Sequence, residues 1–152
     1  MADDAPIRRG RAVGIDLGSR RIGIAVTDSA GTMALPRSTV LRSGDRERDH
    51  RRLVDLVLEE GAVTVVVGLP LSLDGRHGRA ASGATEEASA LSTLLAPHGV
   101  GVELFDERLT TVSAHQALTA GGAGGRQRRQ IVDQAAAAVM LEAWLAAGRT
   151  RS

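Results

Sequence analysis

The sequence predicts an α/β domain built on a mixed five-stranded sheet, an antiparallel β-meander followed by βα units, flanked by helices. Three observations carry this expectation. Residues 12–17 and 22–28 are apolar segments separated only by Gly18-Ser19-Arg20-Arg21, a connection short enough to imply an antiparallel hairpin. Residues 63–68, Val-Thr-Val-Val-Val-Gly, form a nearly unbroken apolar run, which suggests a strand covered on both faces and so parallel to its neighbours. Later segments alternate between helical spacing of apolar residues and short strand-like runs.

Taken in order, residues 1–10 are polar and mixed in charge and read as a flexible N-terminal tail, and residues 11–148 read as a single domain. After the hairpin, residues 33–41 form a third strand, where Pro36 favours an edge position or a bulge. Residues 46–60 place Leu53, Leu56 and Val57 at helical spacing, and Gly61 ends the run. Residues 70–82 read as a loop with an Asp74-Gly75 turn signal. The next helix is expected to start near Ser82–Thr85, with Glu86 and Glu87 in a first turn that suits the helix dipole, and to end before Pro97. Residues 100–105 form the fifth strand. Thr110 or Thr111 caps a short helix to Ala120, Gly121–Gly125 is a flexible break, and a final helix spans 127–147. There is no internal repeat and no domain linker.

Composition narrows the chemistry. At 152 residues, with 43% hydrophobic and 24% charged residues, the chain can bury a sizeable core. No apolar run approaches the ~18 residues of a membrane span, no signal peptide is expected, and the expected compartment is the cytoplasm, with no membrane partner. Cysteine is absent, which excludes disulfides, a thiol nucleophile and a zinc–thiolate site. All 19 basic residues are arginine, which excludes a P-loop lysine and a lysine Schiff base. Net charge is only +1, so any nucleic-acid footprint is local. Phe105 and Trp144 are the only aromatic residues, so nucleic acid would be bound through its backbone and shape rather than by base stacking, and with strong salt dependence.

The most informative residue is Asp16, a carboxylate between Ile15 and Leu17 in a segment that otherwise reads as a core strand. Burying an unpaired carboxylate is costly, so a cation or donors are expected beside it. Gly14 and Gly18 flank it and are expected to leave room for a ligand next to the backbone. Asp106 and Glu107 follow a parallel strand at its carboxyl end, where ligands of open α/β sheets gather. Strand alternation does not say which of the two points inward. Asp133 lies in the second turn of the final helix and tops a stripe of Ala136, Ala137, Met140 and Trp144. Carboxylates of this kind suit Mg²⁺ or Mn²⁺, and two ions ~3.5–4 Å apart activate a water and steady the leaving oxygen of a phosphodiester. The same spacing also fits ordinary surface acids, salt bridges and a helix-capping aspartate.

Residues 14–28, Gly-Ile-Asp-Leu-Gly-Ser-Arg-Arg-Ile-Gly-Ile-Ala-Val-Thr-Asp, resemble the opening motif of the YqgF-type, Holliday-junction-resolvase-like family. Three further segments resemble that family in the same order: Val-Gly-Leu-Pro-Leu-Ser-Leu-Asp-Gly at 67–75, Asp-Glu-Arg-Leu-Thr-Thr at 106–111 and Val-Asp-Gln-Ala-Ala-Ala at 132–137. The resemblance reaches from about residue 12 to 147 and departs at Ser113, where the family often has Glu. It implies a ribonuclease-H-like fold, and Asp16, Glu107 and Asp133 as metal-binding catalytic acids. It also implies a bacterial cytoplasmic nuclease that processes the 5′ end of precursor 16S ribosomal RNA in ribosome biogenesis, or resolves Holliday junctions.

Around these acids, Arg20, Arg21 and Arg108, and next to them Arg76 and Arg79 in the 70–82 loop, are candidates to hold phosphates; Arg108 could instead orient Glu107. Arg126, Arg128 and Arg129 at the start of the last helix are weaker candidates. The run Arg42–Arg52 reads as a solvated helix face, Gly68-Leu69-Pro70 as a tight exit from the sheet, and Asp74 as a turn former. His50, His77, His98 and His115 read as surface or cap residues. Structured RNA or branched DNA is therefore the expected partner, and a junction substrate would call for a homodimer. Two other classes compete. An actin-like ATPase half is suggested by Gly14 to Gly18 but disfavoured by length, and a non-catalytic nucleic-acid-binding factor would not need Asp16.

Overall fold

The structure, a computed structural model, describes residues 10–70, 78–110 and 125–150. Its elements are β1 (Arg11–Leu17), β2 (Arg21–Thr27), β3 (Ala34–Leu41), α1 (Arg46–Glu59), β4 (Ala62–Leu69), α2 (Arg79–Leu95), β5 (Gly101–Asp106) and α3 (Gly125–Thr150), with a short 3₁₀ turn after α2 and another at Glu107–Thr110. The strands form one sheet in the order β3-β2-β1-β4-β5. β2 is antiparallel to β1 and β3, and β4 is parallel to β1 and β5. This is the mixed meander-plus-βα sheet the sequence predicts. Pro36 lies on the edge strand β3, beside a register shift between Ile24 and Ala25 of its partner, as its missing N–H requires.

Period-two alternation gives the two sheet faces different characters. Val13, Ile15, Ile22, Ile24, Val65 and Val67 pack with Leu53 and Val57 of α1 and Ala88, Leu91 and Leu95 of α2. The opposite face presents small residues, Ala12, Gly14 and Ala25, to Ala137, Met140 and Leu141 of α3. That lets α3 lie close: a Cβ on Gly14 would meet Leu141 Cβ at 3.1 Å and the Ala137 carbonyl at 3.3 Å. The space beside Gly14 therefore holds the helix, not a ligand. Beside Gly18 a Cβ would strike the Arg21 carbonyl, so that glycine serves the hairpin turn. Both glycines depart from the expectation that they open room next to Asp16.

Several other expectations shift. α2 begins at Arg79, so Glu86 and Glu87 sit well inside it, and Arg79 is exposed in its first turn rather than in a loop. α3 begins at Gly125, placing Asp133 in its third turn. The Arg42–Arg52 run is not simply a solvated face. Glu87, 4% exposed, receives two hydrogen bonds from Arg42, at 3.0 and 2.8 Å, and one contact from His50 at 2.8 Å. Asp49 is equally buried and accepts from the Ser43 amide. His50 is thus an interior residue, not a surface one. The segment Ile131–Gly148 is long and apolar enough to cross a membrane by length and composition, against the sequence expectation; here one face of it packs on the sheet. The helix expected to end at Ala120, the break at 121–124, Ser113, Asp74, His77, His115, Arg76 and the side chains of Arg126, Arg128 and Arg129 lie outside the described residues.

Candidate functional site

Two glycines on either side of Asp16 shape the site. In the antiparallel register Asp16 lies opposite Gly23 of β2. The parallel register that pairs Ile15 with Val67 brings Gly68 of β4 to its other side. A Cβ on Gly23 would run into the backbone carbonyl of Asp133, with the carbonyl carbon at 2.5 Å. A Cβ on Gly68 would run into the Glu107 carboxylate, with Glu107 Cδ at 2.8 Å and Cγ at 2.9 Å. The volume that ordinary side chains would fill is thus taken by α3 on one side and by Glu107 on the other. Gly68 does more than give a tight exit from the sheet.

The Glu107 and Asp16 carboxyls are hydrogen-bonded to each other, and Asp133 is near enough for its charge to act on Asp16. Burial is the main reason the Asp16 carboxyl rises above its ordinary range; the hydrogen bond to Glu107 opposes that rise and the Asp133 charge adds to it. Glu107 is pushed up to about 8, first by burial, then by its hydrogen bond to Asp16 and the charges of Asp16 and Asp106. Two carboxyls in this position hold a proton between them and titrate as a pair.

Asp133 is gripped by Arg21, whose Nε donates to Oδ2 at 2.7 Å. Period-two alternation puts Arg21 and Gly23 on the same face of β2, which is why Arg21 reaches α3. Asp106 faces elsewhere: its Oδ1 accepts from the Arg108 amide at 3.0 Å and from Arg108 Nε at 3.0 Å, and its Oδ2 accepts from Nη2 at 2.5 Å. Those bonds hold the Asp106 carboxyl below the usual carboxylate range. Of the two acids that alternation left open, Glu107 is the one that meets Asp16.

The hairpin tip is anchored from the far side of the sheet. Arg42 Nε donates to the Gly18 carbonyl at 2.7 Å, the Arg42 amide donates to the Arg20 carbonyl at 2.9 Å, and the remaining guanidinium nitrogens bind Glu87. Gly23, Gly68, Arg42 and Glu87 were not singled out for the site by sequence reasoning. A glycine inside an apolar strand does signal close approach of another backbone, which marks Gly23 and Gly68. Nothing in the sequence pairs Arg42 with Glu87. Among the described residues, no three acidic or histidine side chains stand close enough together to enclose one ion as arranged.

Comparison with known proteins agrees with this architecture. A protein from Rhodococcus opacus (strain B4) named "Putative pre-16S rRNA nuclease" is 49% identical over 140 residues, covering 90% of this chain and 78% of its own length. A protein of the same name from Leifsonia xyli subsp. xyli (strain CTCB07) is 44% identical over 146 residues, covering 96% of this chain and 92% of its own. Among solved structures, Thermus thermophilus RuvC in complex with a Holliday junction substrate superposes with a TM-score of 0.61 at 18% identity, over 93% of this chain and 97% of that one. The yeast mitochondrial Holliday junction resolvase Ydc2 gives 0.58 at 12% identity, over 93% and 80%. These likenesses establish the ribonuclease-H-like fold. Residues 10–147 match the model of the RuvX family, described as Holliday junction resolvase, and the chain belongs to that family.

Proposed function

We propose that this chain is a divalent-metal-dependent nuclease that hydrolyses phosphodiester bonds and processes the 5′ end of precursor 16S ribosomal RNA, with Asp16, Glu107 and Asp133 as its catalytic and metal-holding acids. The observation that carries the reading is the Asp16–Glu107 contact. Carboxyls from distant segments are pressed into sharing a proton, in a cradle a Cβ on Gly68 would fill. Such a pair gives the fold little, because burying acids without a cation costs stability. Its donor set, carboxylate oxygens only, fits Mg²⁺ or Mn²⁺. The nuclease names of relatives covering nine-tenths of this chain support the same activity.

When bound, a divalent cation lowers the pKa of its water and offsets charge developing on the phosphate. This chain's own groups do the rest. Asp16 and Glu107 would hold the ion as carboxylates, without the proton they share in its absence. Asp133 would turn from Arg21 to the ion, leaving Arg21, with Arg20 and Arg108, to hold backbone phosphates; exposed Arg79, together with Arg76, would extend that grip. Hydrolysis leaves a 5′-phosphate and a 3′-hydroxyl. The compartment that fits such a substrate is the cytoplasm. The family description favours a second reading, resolution of a four-way DNA junction by a homodimer presenting two sites.

The deciding experiment compares wild type with Asp16→Asn, on precursor rRNA and on a synthetic four-way junction, with Mg²⁺ or Mn²⁺. Metal-dependent rRNA cleavage that the variant loses while keeping its circular dichroism spectrum is expected. Equal function in the variant means a non-catalytic binding factor, and cleavage of the junction alone selects the second reading.

A further inference from the structure

The β1–β2 tip carries arginines to both sides of the sheet edge. Arg21 turns to Asp133 on the α3 face, whereas Arg20 turns toward the start of α1. There, Ser19, Arg20, Arg42, Gly44, Arg46 and Asp49 line a cavity of about 360 Å³. The charges around it are unequally engaged. Arg42 is fully committed to Glu87 and Gly18. Asp49, the acid in the lining, accepts from the Ser43 amide through both oxygens, at 3.0 and 3.3 Å. Arg46 is 56% exposed and only loosely held, at 3.6 Å from Glu86 and 3.9 Å from Glu87. Arg20 is exposed, and among the described residues no acid stands within ion-pair distance of it. Two exposed, weakly engaged guanidinium groups therefore face a polar cavity whose other charges are already satisfied.

We propose that this cavity is a phosphate subsite of the substrate: it takes a nucleic-acid backbone phosphate flanking the scissile one, held by Arg20 and Arg46 and the Ser19 hydroxyl. Ser19 is three residues along the chain from Asp16, so the two lie within roughly 10 Å, the reach of one or two nucleotides. Arg42 does not bind the phosphate. It fixes the Gly18–Arg20 backbone that the subsite shares with the acid cluster, and the planar guanidinium is suited to that many simultaneous bonds. A strand lying over the tip would thus be gripped on both faces of the hairpin, which fits a chain with few aromatics and a net charge of +1. The inference rests on the nucleic-acid reading proposed above.

The test measures binding in EDTA, so that cleavage plays no part. A fluorescein-labelled RNA hairpin with a single-stranded 5′ extension and a four-way DNA junction are titrated by anisotropy between about 50 and 200 mM salt. The double variant Arg20→Gln/Arg46→Gln, which frees that one phosphate, is expected to lower the slope of log K against log salt by about 0.7 to 0.9, and each single variant by a measurable part of that. Exposed Arg52→Gln, which removes equal charge elsewhere on α1, is expected to leave the slope unchanged. Equal slopes for Arg46→Gln and wild type, an equal fall with Arg52→Gln, or no binding by the wild type would overturn the subsite. A slope change on only one of the two probes identifies which nucleic acid the subsite serves. Binding with the expected slopes but no cleavage on adding metal would sink the nuclease reading and leave the subsite standing. Cleavage with an Arg46→Gln KM equal to wild type would sink the subsite alone.

Discussion

Replacing Gly23 and Gly68 by alanine separates what holds the fold from what shapes the site. At Gly23 the new Cβ meets helix backbone, the carbonyl group of Asp133, with Cα also at 3.3 Å. Backbone cannot rotate away, so α3 must shift, an overpacking cost of about 1–3 kcal/mol. The entropy alanine removes from the unfolded chain returns roughly 0.4–1 kcal/mol. The net loss is up to about 2.6 kcal/mol, and at roughly 2–4 °C per kcal/mol the Tm falls by up to about 10 °C. At Gly68 the three nearest atoms all belong to the Glu107 side chain, which can swing outward at little energetic cost. Gly68→Ala should therefore keep its Tm within about 2 °C of wild type. It should still lose about 100-fold in kcat, because a catalytic carboxylate displaced by an ångström forfeits its geometry. Differential scanning fluorimetry in EDTA and initial cleavage rates read the two effects. A fully active Gly68→Ala would show that Glu107 need not sit beside Asp16, and the site as described would be wrong. If Gly68→Ala melts as low as Gly23→Ala, Glu107 is fixed rather than free to move.

The raised Glu107 carboxyl sets a pH dependence. A carboxyl whose pKa is about 8 in the folded chain against 4.5 ordinarily favours folding while protonated. Its contribution is complete below about 4.5 and disappears as pH rises through about 8, so metal-free wild type should lose Tm over that window relative to Glu107→Gln. Millimolar Mg²⁺ or Mn²⁺ should raise Tm more at pH 8 than at pH 5, since ion and proton compete for the same oxygens, and Asp16→Asn should abolish the difference. Glu87→Ala strands the Arg42 guanidinium in a partly buried position and leaves His50 unpaired; a loss of about 3–5 kcal/mol is expected, read as a lower urea midpoint with unchanged m. Asp106→Asn, which disturbs the exposed pairing with Arg108 and removes the smallest of the charges acting on Glu107, should alter cleavage far less than Glu107→Gln in a parallel rate comparison.

Much of the fold was legible because its signals are periodic and local. The Val63–Gly68 run, the short hairpin connection and Pro36 each dictate their strand's place with little tertiary help. The start of α2 was misjudged because Glu86 and Glu87 look like first-turn acids; Glu87 instead satisfies Arg42, a partner 45 residues away that no local pattern discloses. His50 and Asp49 were read as solvated for the same reason: alternating charges mark a surface helix unless another element supplies their partners. Asp16 was conspicuous, since a carboxylate in an apolar strand violates the local rule. The glycines were harder. Gly14, Gly18, Gly23 and Gly68 look alike in sequence, and what each makes room for — α3, a turn carbonyl, Asp133, Glu107 — depends on which atoms arrive from elsewhere.

These glycines join the helix packing to the acid cluster. The α3 face of the sheet is small along β1 and β2, so α3 can settle on Gly14 and Gly23, and that approach delivers Asp133 toward Asp16. A larger residue at either position would lift the helix and, with it, one of the acids. Packing and site are thus a single arrangement, yet the acids themselves oppose it: Asp16 is raised by burial and by the Asp133 charge, Glu107 by burial and by Asp16, and Arg21 is the guanidinium seen holding Asp133. A core that tolerated this only for folding would be better served by apolar residues of similar size. Local conflict maintained by otherwise consistent packing is what a binding site for positive charge requires, and it explains why the mismatch falls at the carboxyl ends of parallel strands β1, β4 and β5 rather than within the sheet.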